Sequence, residues 1–158
     1  MKAATINELK QELNLVPPAK LLELCVRLAR YKKDNKELLT YLLFEEHDEA
    51  AYVSSIKIEM DEQFAAINKS NLYFAKKSLR KILRITAKYT RYTGSKQVEV
   101  ELLLYFCNAL INSGIAIRNS TALINLYKAQ LKKIDKVIST MHEDLQYDYL
   151  KELNKLSA

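Results

Sequence analysis

Glycine, proline, cysteine and tryptophan are scarce in this chain of 158 residues. It contains two Gly, two Pro, two Cys and no Trp. A sheet of many strands needs turn residues between its strands, and two glycines and two prolines supply too few of them. Leu, Ala, Lys and Glu, which all favour helix, dominate the composition instead. The composition therefore predicts an all-α protein.

Long apolar runs are also missing, so the sequence predicts no membrane-spanning segment. The N-terminus leads directly into an amphipathic segment that contains Glu8 and Glu12, where a secretory signal would need a continuous apolar stretch. Cys25 and Cys107 both lie at apolar helical positions, which favours two reduced core thiols over a disulfide. We therefore expect a cytoplasmic protein that forms a single all-helical domain over residues 1–158.

Residues with catalytic or metal-binding potential are few. His47 and His142 are the only histidines, and neither follows a glutamate at the three-residue spacing of helical di-iron sites. The chain lacks the His-Glu-x-x-His and Cys-x-x-Cys zinc motifs and a glycine-rich phosphate loop. We interpret His47, which lies among four acidic residues, as part of a solvated turn. The sequence thus predicts no catalytic, cofactor-binding or metal-binding residue, no cofactor, and a protein that is not an enzyme.

Apolar spacing and capping residues predict seven or eight helices. They cover residues 6–14, 18–33, 35–46, 49–67, 71–93, 96–112, 120–140 and 143–156. Two segments, 56–60 and 98–102, alternate with the period of a strand, but their long helical flanks favour helix. Short connections predict antiparallel neighbours, arranged either as a compact bundle or as a short α-solenoid-like stack of helical hairpins.

Positive charge is concentrated in residues 69–96. This segment has nine Lys and Arg and no Asp or Glu, whereas the net charge of the whole chain is +6, so the remainder sums to −3. On a helix, seven of these cations fall within a sector of about 140°, opposite the large apolar side chains. We call this sector the basic face; its members are Lys76, Lys77, Arg80, Lys81, Arg84, Lys88 and Arg91. The candidates for anion or partner binding are Lys77, Arg80, Lys81, Arg84, Lys88 and Arg91.

Three interpretations of the basic face are open. Segment 45–62 holds seven acidic residues and a single lysine, and an antiparallel hairpin would place it beside the basic helix and neutralise the face. Alternatively, the cations bind a nucleic-acid phosphate backbone, with Tyr73 stacking on a base, although no base-reading motif is present. In the third interpretation the basic face binds an acidic protein or an anionic membrane surface. The absence of Trp disfavours the membrane.

The leading functional prediction is a scaffold or protein-interaction module with an unknown protein partner or a second copy of the chain. Nucleic-acid binding through helix 71–93 is the alternative. Tyr147 and Tyr149, which lie among acidic residues near the C-terminus, are the tyrosines that we expect to be exposed at a partner contact.

Overall fold

The computed structural model describes residues 1–158, which form eight α-helices and no strand. The prediction of an all-α protein with seven or eight helices is confirmed. The contacts divide the chain into two compact units, Met1–Glu45 and Glu46–Ala158. We describe each unit by itself, and the prediction of a single domain over residues 1–158 remains a prediction.

The first unit contains three short helices. They are α1 (Ile6–Leu15), α2 (Pro18–Tyr31) and α3 (Lys33–Thr40), followed by a π-helical turn at Tyr41–Glu45. Thr5 and Glu8 form a capping box at the start of α1, and hydrogen bonds from Thr5 lower the pKa of Glu8. α2 packs against α3, and the Asn35 side-chain amide donates to the Leu28 carbonyl at 2.8 Å. α3 begins two residues earlier than predicted, without a side-chain cap.

The second unit contains the other five helices. They are α4 (Glu49–Ala65), α5 (Leu72–Thr93), α6 (Lys96–Asn112), α7 (Thr121–Ile138) and α8 (Glu143–Ser157), with a 3-10 turn at Ile117–Asn119. Asp48 caps α4 through the Ala51 amide at 3.0 Å, and Ser95 caps α6 through the Val98 amide at 3.3 Å. The bounds of these five helices agree with the sequence prediction to within about two residues.

Helix α6 lies at the centre of the second unit and packs against α4, α5, α7 and α8. Its buried side chains point in several directions, as expected for a helix surrounded by others; they are Val98, Val100, Leu102, Leu103, Leu104, Phe106, Cys107 and Leu110. In a linear stack each repeat would contact only its neighbours, so within this unit the arrangement is a bundle around α6.

The central position of α6 also explains the strand-like alternation at 98–102. The apolar residues of this segment are buried, and the two carboxylates between them reach lysines on neighbouring helices. Glu99 pairs with Lys133 of α7 at 3.2 Å, and Glu101 pairs with Lys57 of α4 at 2.6 Å. In segment 56–60, Ile58 is 58% exposed, so not all apolar residues of this alternating segment are buried. Both segments are helical, as predicted.

The two cysteines have different environments. Cys107 is fully buried in the core of the second unit, as predicted. Cys25 is exposed on α2, so its predicted core position is wrong. Its apolar neighbours suggested burial, but the groove that it lines between α2 and α3 is open. Both thiols are free.

Candidate functional site

Helix α5 is capped at both ends, and its apolar side is buried. The Asn71 side chain accepts hydrogen bonds from the amides of Tyr73 and Phe74, both at 3.1 Å, and so caps the first turn. Gly94 ends the helix with φ of +63°, a left-handed conformation in which a side chain would be strained. The buried side chains of α5 are Ala75, Leu79, Ile82, Thr86 and Thr90. On the opposite side, five of the seven cations of the basic face are exposed, whereas Lys76 and Lys88 are half-buried.

Four of the predicted site residues lie together on the exposed side. Lys77, Arg80, Lys81 and Arg84 are all exposed and line one open depression of about 560 Å³. Ser78 completes its lining, and no carboxylate takes part. The four cations span two helical turns, or about 10 Å along the axis. None of them forms an ion pair within the chain. This part of the basic face is therefore available to a polyanion.

A second depression, of about 490 Å³, adjoins the first where α5 approaches α7. Lys76 and Arg80 line its α5 side, while Asn125 and Gln130 line its α7 side. Arg80 thus borders both depressions. The side-chain amides offer donors and acceptors that suit sugar and phosphate oxygens. Sequence reasoning missed Asn125 and Gln130, because only the tertiary structure shows that α7 borders the basic face.

The last two predicted residues lie apart from this group. Lys88 is half-buried, and its ammonium nitrogen is 5.5 Å from the centre of the Tyr89 ring. Arg91 is exposed but borders a different depression of about 440 Å³, together with Lys96 and Lys133. Glu99 also borders that depression and pairs with Lys133 there, which reduces its positive charge. The structure therefore groups four of the six candidates and separates Lys88 and Arg91 from them.

The acidic residues of α4 do not neutralise the basic face. α4 packs against both α5 and α6. The Tyr52 hydroxyl of α4 donates to the Tyr89 carbonyl of α5 at 3.2 Å, whereas the charged side chains of α4 that bind another helix reach α6. Lys57 pairs with Glu101, and the Tyr105 hydroxyl donates to Asp61 at 2.7 Å, a hydrogen bond that raises the pKa of Tyr105. No carboxylate of α4 forms an ion pair with a cation of α5. The interpretation that segment 45–62 neutralises the face through ion pairs is therefore not supported for α4, because Asp61 binds Tyr105 of α6 and Glu49 and Glu62 are exposed.

No ion pair joins α7 to α8, although α7 carries four lysines and α8 begins with acidic residues. The one α7 lysine with an interhelical ion pair is Lys133, and its partner is Glu99 of α6. Near the start of α8, His142 instead caps the helix, and its ring nitrogen lies 3.4 Å from Asp144. The acidic residues of α8 therefore form no ion pair with the lysines of α7, and the positive charge at the second depression comes from Lys76 and Arg80 of α5.

Two exposed aromatic side chains stand at the N-terminal end of the basic face. Tyr73 is 67% exposed and Phe74 is 52% exposed, and their rings meet edge to face with centroids 5.5 Å apart. The Lys77 ammonium lies 5.5 Å from the Tyr73 ring centre. An exposed aromatic pair beside unpaired cations is the combination that binds single-stranded nucleic acid, since bases stack on rings while cations hold phosphates.

The tyrosines near the C-terminus behave differently from each other. Tyr147 is exposed, as predicted. Tyr149 is half-buried against the hydrophobic core, and this burial raises its pKa, so its predicted exposure is wrong.

His47 lies in an exposed turn, as predicted. The structure brings together no group of three or more His, Cys, Asp or Glu side chains that could hold a metal ion.

A second surface of interest is apolar and lies in the first unit. A groove of about 250 Å³ between α2 and α3 is lined by Cys25, Leu28, Ala29, Asn35, Leu38, Leu39 and Leu42. Leu28 is 62% exposed and Leu42 is 45% exposed. Exposed apolar side chains therefore surround this groove.

No protein-family model, curated protein or solved structure matches this chain. None of the eight helices combines the length and the apolar character needed to cross a membrane.

Proposed function

We propose that this chain is a non-enzymatic nucleic-acid-binding protein that holds a phosphate backbone on the basic face of α5. The observation that carries the proposal is the group of four exposed cations, Lys77, Arg80, Lys81 and Arg84, around one depression with no paired carboxylate. Arg80 and Arg84 suit bidentate phosphate contacts, and the two lysines act as point charges. Tyr73 and Phe74 favour a single strand over a duplex, because only unpaired bases stack on an exposed ring.

Affinity for a single-stranded oligonucleotide is expected to fall steeply with salt. Four phosphate contacts give a slope of log K against log salt of about −3. The double variant Lys77→Glu/Lys81→Glu removes two contacts, so we expect the slope to halve and the affinity at low salt to fall at least tenfold. Fluorescence anisotropy with a labelled oligonucleotide measures both quantities.

The matched control is Lys151→Glu/Lys155→Glu on α8. Lys151 and Lys155 are also exposed lysines four residues apart, so the change in net charge and the spacing are the same. The control should keep wild-type affinity within about threefold and retain the salt slope. A wild-type slope near zero, or equal losses in the two double variants, would contradict a specific role for the basic face.

Tyr73→Ala is expected to weaken single-strand binding about 5- to 150-fold, because one base stacked on an aromatic ring contributes about 1–3 kcal/mol. Duplex binding should change little, since its bases are not available for stacking. The matched control is Tyr147→Ala, because Tyr147 is a similarly exposed tyrosine on α8. Equal losses on single strands and duplexes would argue against stacking at Tyr73.

Protein interaction is the second candidate function, and the apolar surface of the first unit favours it. Within residues 1–45, Leu22, Leu28 and Leu43 are each more than 60% exposed, and the groove between α2 and α3 is open. Binding of a partner that removes such apolar surface from water is favourable in free energy.

A further inference from the structure

We propose that the α2–α3 groove binds helix α1 of a second copy of this chain, so that two copies exchange their N-terminal helices. This inference rests on the second candidate function, a protein-interaction role for residues 1–45, and is independent of nucleic-acid binding. Four features of the first unit carry it: the uncovered apolar side of α1, the apolar lining of the groove, the rigid connection between α1 and α2, and their opposite charges.

Helix α1 has an apolar stripe that no helix of its unit covers. Ile6, Leu9 and Leu13 follow the spacing that places residues on one side of a helix, and they are 81%, 46% and 43% exposed. α1 forms no packed interface with α2 or α3. A free helix of ten residues is only marginally stable in water, although the Thr5–Glu8 capping box supports its first turn. A partner that covers the stripe would therefore also stabilise the helix.

The groove between α2 and α3 suits such a stripe. Six of its seven lining residues are apolar or carry only a thiol, and the seventh, Asn35, already uses its amide to bind the Leu28 carbonyl. Little polar surface is left to desolvate when a helix enters. An amphipathic helix that lays its apolar side into an apolar groove is a recurring mode of recognition.

The connection between α1 and α2 favours a second copy over the chain's own α1. Val16 and Pro17 are both extended, with φ/ψ of −84°/132° and −64°/154°. Each precedes a proline, which disfavours the helical conformation, and the rings of Pro17 and Pro18 fix φ. The connection therefore acts as a stiff arm that holds α1 away from α2 and α3. Docking within one chain would have to bend this arm, whereas docking on a second chain leaves it unchanged.

Charge adds to the complementarity. α1 carries Glu8 and Glu12 against Lys10, a net charge of −1. α2 and α3 together carry five Lys and Arg against three Asp and Glu, a net charge of +2. Exchange between two identical chains fills both grooves at once and gives a closed dimer with two-fold symmetry.

Cys25 lines the groove and provides a direct test. In the variant Leu13→Cys, mild oxidation should link the new cysteine to Cys25 of the other copy, giving a covalent dimer on a non-reducing gel. Peptide mapping by mass spectrometry should identify the 13–25 disulfide. Cys107 is buried, so it does not compete. Gln11→Cys is the matched control, because residue 11 lies on the opposite side of α1 and should give at least about fivefold less dimer.

A second control combines Leu13→Cys with Cys25→Ser. Any dimer that it forms is linked through the two new cysteines and not through Cys25.

Complementation gives an independent readout. Leu9→Asp should impair only α1, and Leu28→Asp only the groove, so each variant alone should be monomeric by light scattering. An equimolar mixture retains one intact α1 and one intact groove and should recover a dimer, which a folding defect would not produce.

The outcomes separate the alternatives. Interchain 13–25 links together with complementation support the exchange. A 13–25 link within a monomer shows that the groove holds its own α1, and a dimer yield equal to that of Gln11→Cys shows that it does not bind α1; either result overturns the proposal. A wild-type chain that stays monomeric across a concentration series also overturns it. Failure of the exchange would leave the second candidate function standing if the groove binds a helix from a different protein.

Discussion

Replacement of Phe106 by alanine should lower the free energy of unfolding by about 3–5 kcal/mol, the cost of removing a buried aromatic ring and leaving a cavity. Phe106 is fully buried on the central helix α6, and its ring centroid lies 5.5 Å from that of Phe64 on α4. Because α6 contacts the four other helices of its unit, a cavity there reaches the whole core. Typical stabilities are about 5–15 kcal/mol, so much of the total would be lost.

Chemical denaturation followed by circular dichroism measures this loss. Ile111→Ala on the same helix is the matched control, because Ile111 is 48% exposed and its truncation should cost less than about 1 kcal/mol. Phe106→Leu should fall between the two, since it removes less volume. If Phe106→Ala cost no more than Ile111→Ala, the assignment of Phe106 to the centre of the core would be wrong.

Local features of the fold were predictable from the sequence because neighbouring residues determine them. Thr5, Asp48 and Ser95 each satisfy backbone amides a few positions along the chain, so the starts of α1, α4 and α6 follow from short-range chemistry. Gly94 ends α5 for a similar reason. The π-helical turn at Tyr41–Glu45 was missed, because no capping or periodic signal distinguishes it from a continued helix.

Contacts between helices were less predictable. Segment 45–62 is acidic and precedes the basic helix, so pairing between them was the simplest expectation. Lys57 and Asp61 instead bind Glu101 and Tyr105 of α6, because α4 packs on two helices and these two side chains lie on the side that meets α6. Sequence order indicates which helices are joined, but the rotation of each helix about its axis depends on the packing of the whole core.

The candidate site was also only partly predictable from the sequence. Lys77, Arg80, Lys81 and Arg84 fall on one side of α5 by helical geometry alone, and the structure places them together. Lys88 belongs to the same angular sector, yet it is half-buried beside Tyr89. Helical periodicity gives the direction of a side chain, whereas its exposure depends on what the rest of the fold places beside it. For that reason the sequence could indicate a basic face but could not indicate which cations remain available.

Thiol modification should distinguish the two cysteines by roughly a thousandfold in rate near pH 8, because the thiolate is the reactive form. Burial raises the pKa of Cys107 to about 12, whereas Cys25 is exposed on α2. The native protein should therefore release one equivalent of chromophore rapidly from a disulfide reagent and a second only after unfolding. Cys25→Ser should abolish the rapid phase. A rapid second equivalent from native protein would show that Cys107 is accessible.

The same shift gives a pH dependence with a definite sign. The folded-state pKa of Cys107 lies above the value of an exposed thiol, about 8.5, so between that pH and 12 the unfolded chain loses this proton first. The stabilising contribution of the protonated thiol is complete below about pH 8.5 and declines as the pH rises. Unfolding of wild type and Cys107→Ala across pH 7–11 isolates this contribution, since the other titrating groups are common to both. The wild type should lose more stability than the variant over this range, and parallel curves would show that Cys107 does not remain protonated in the core.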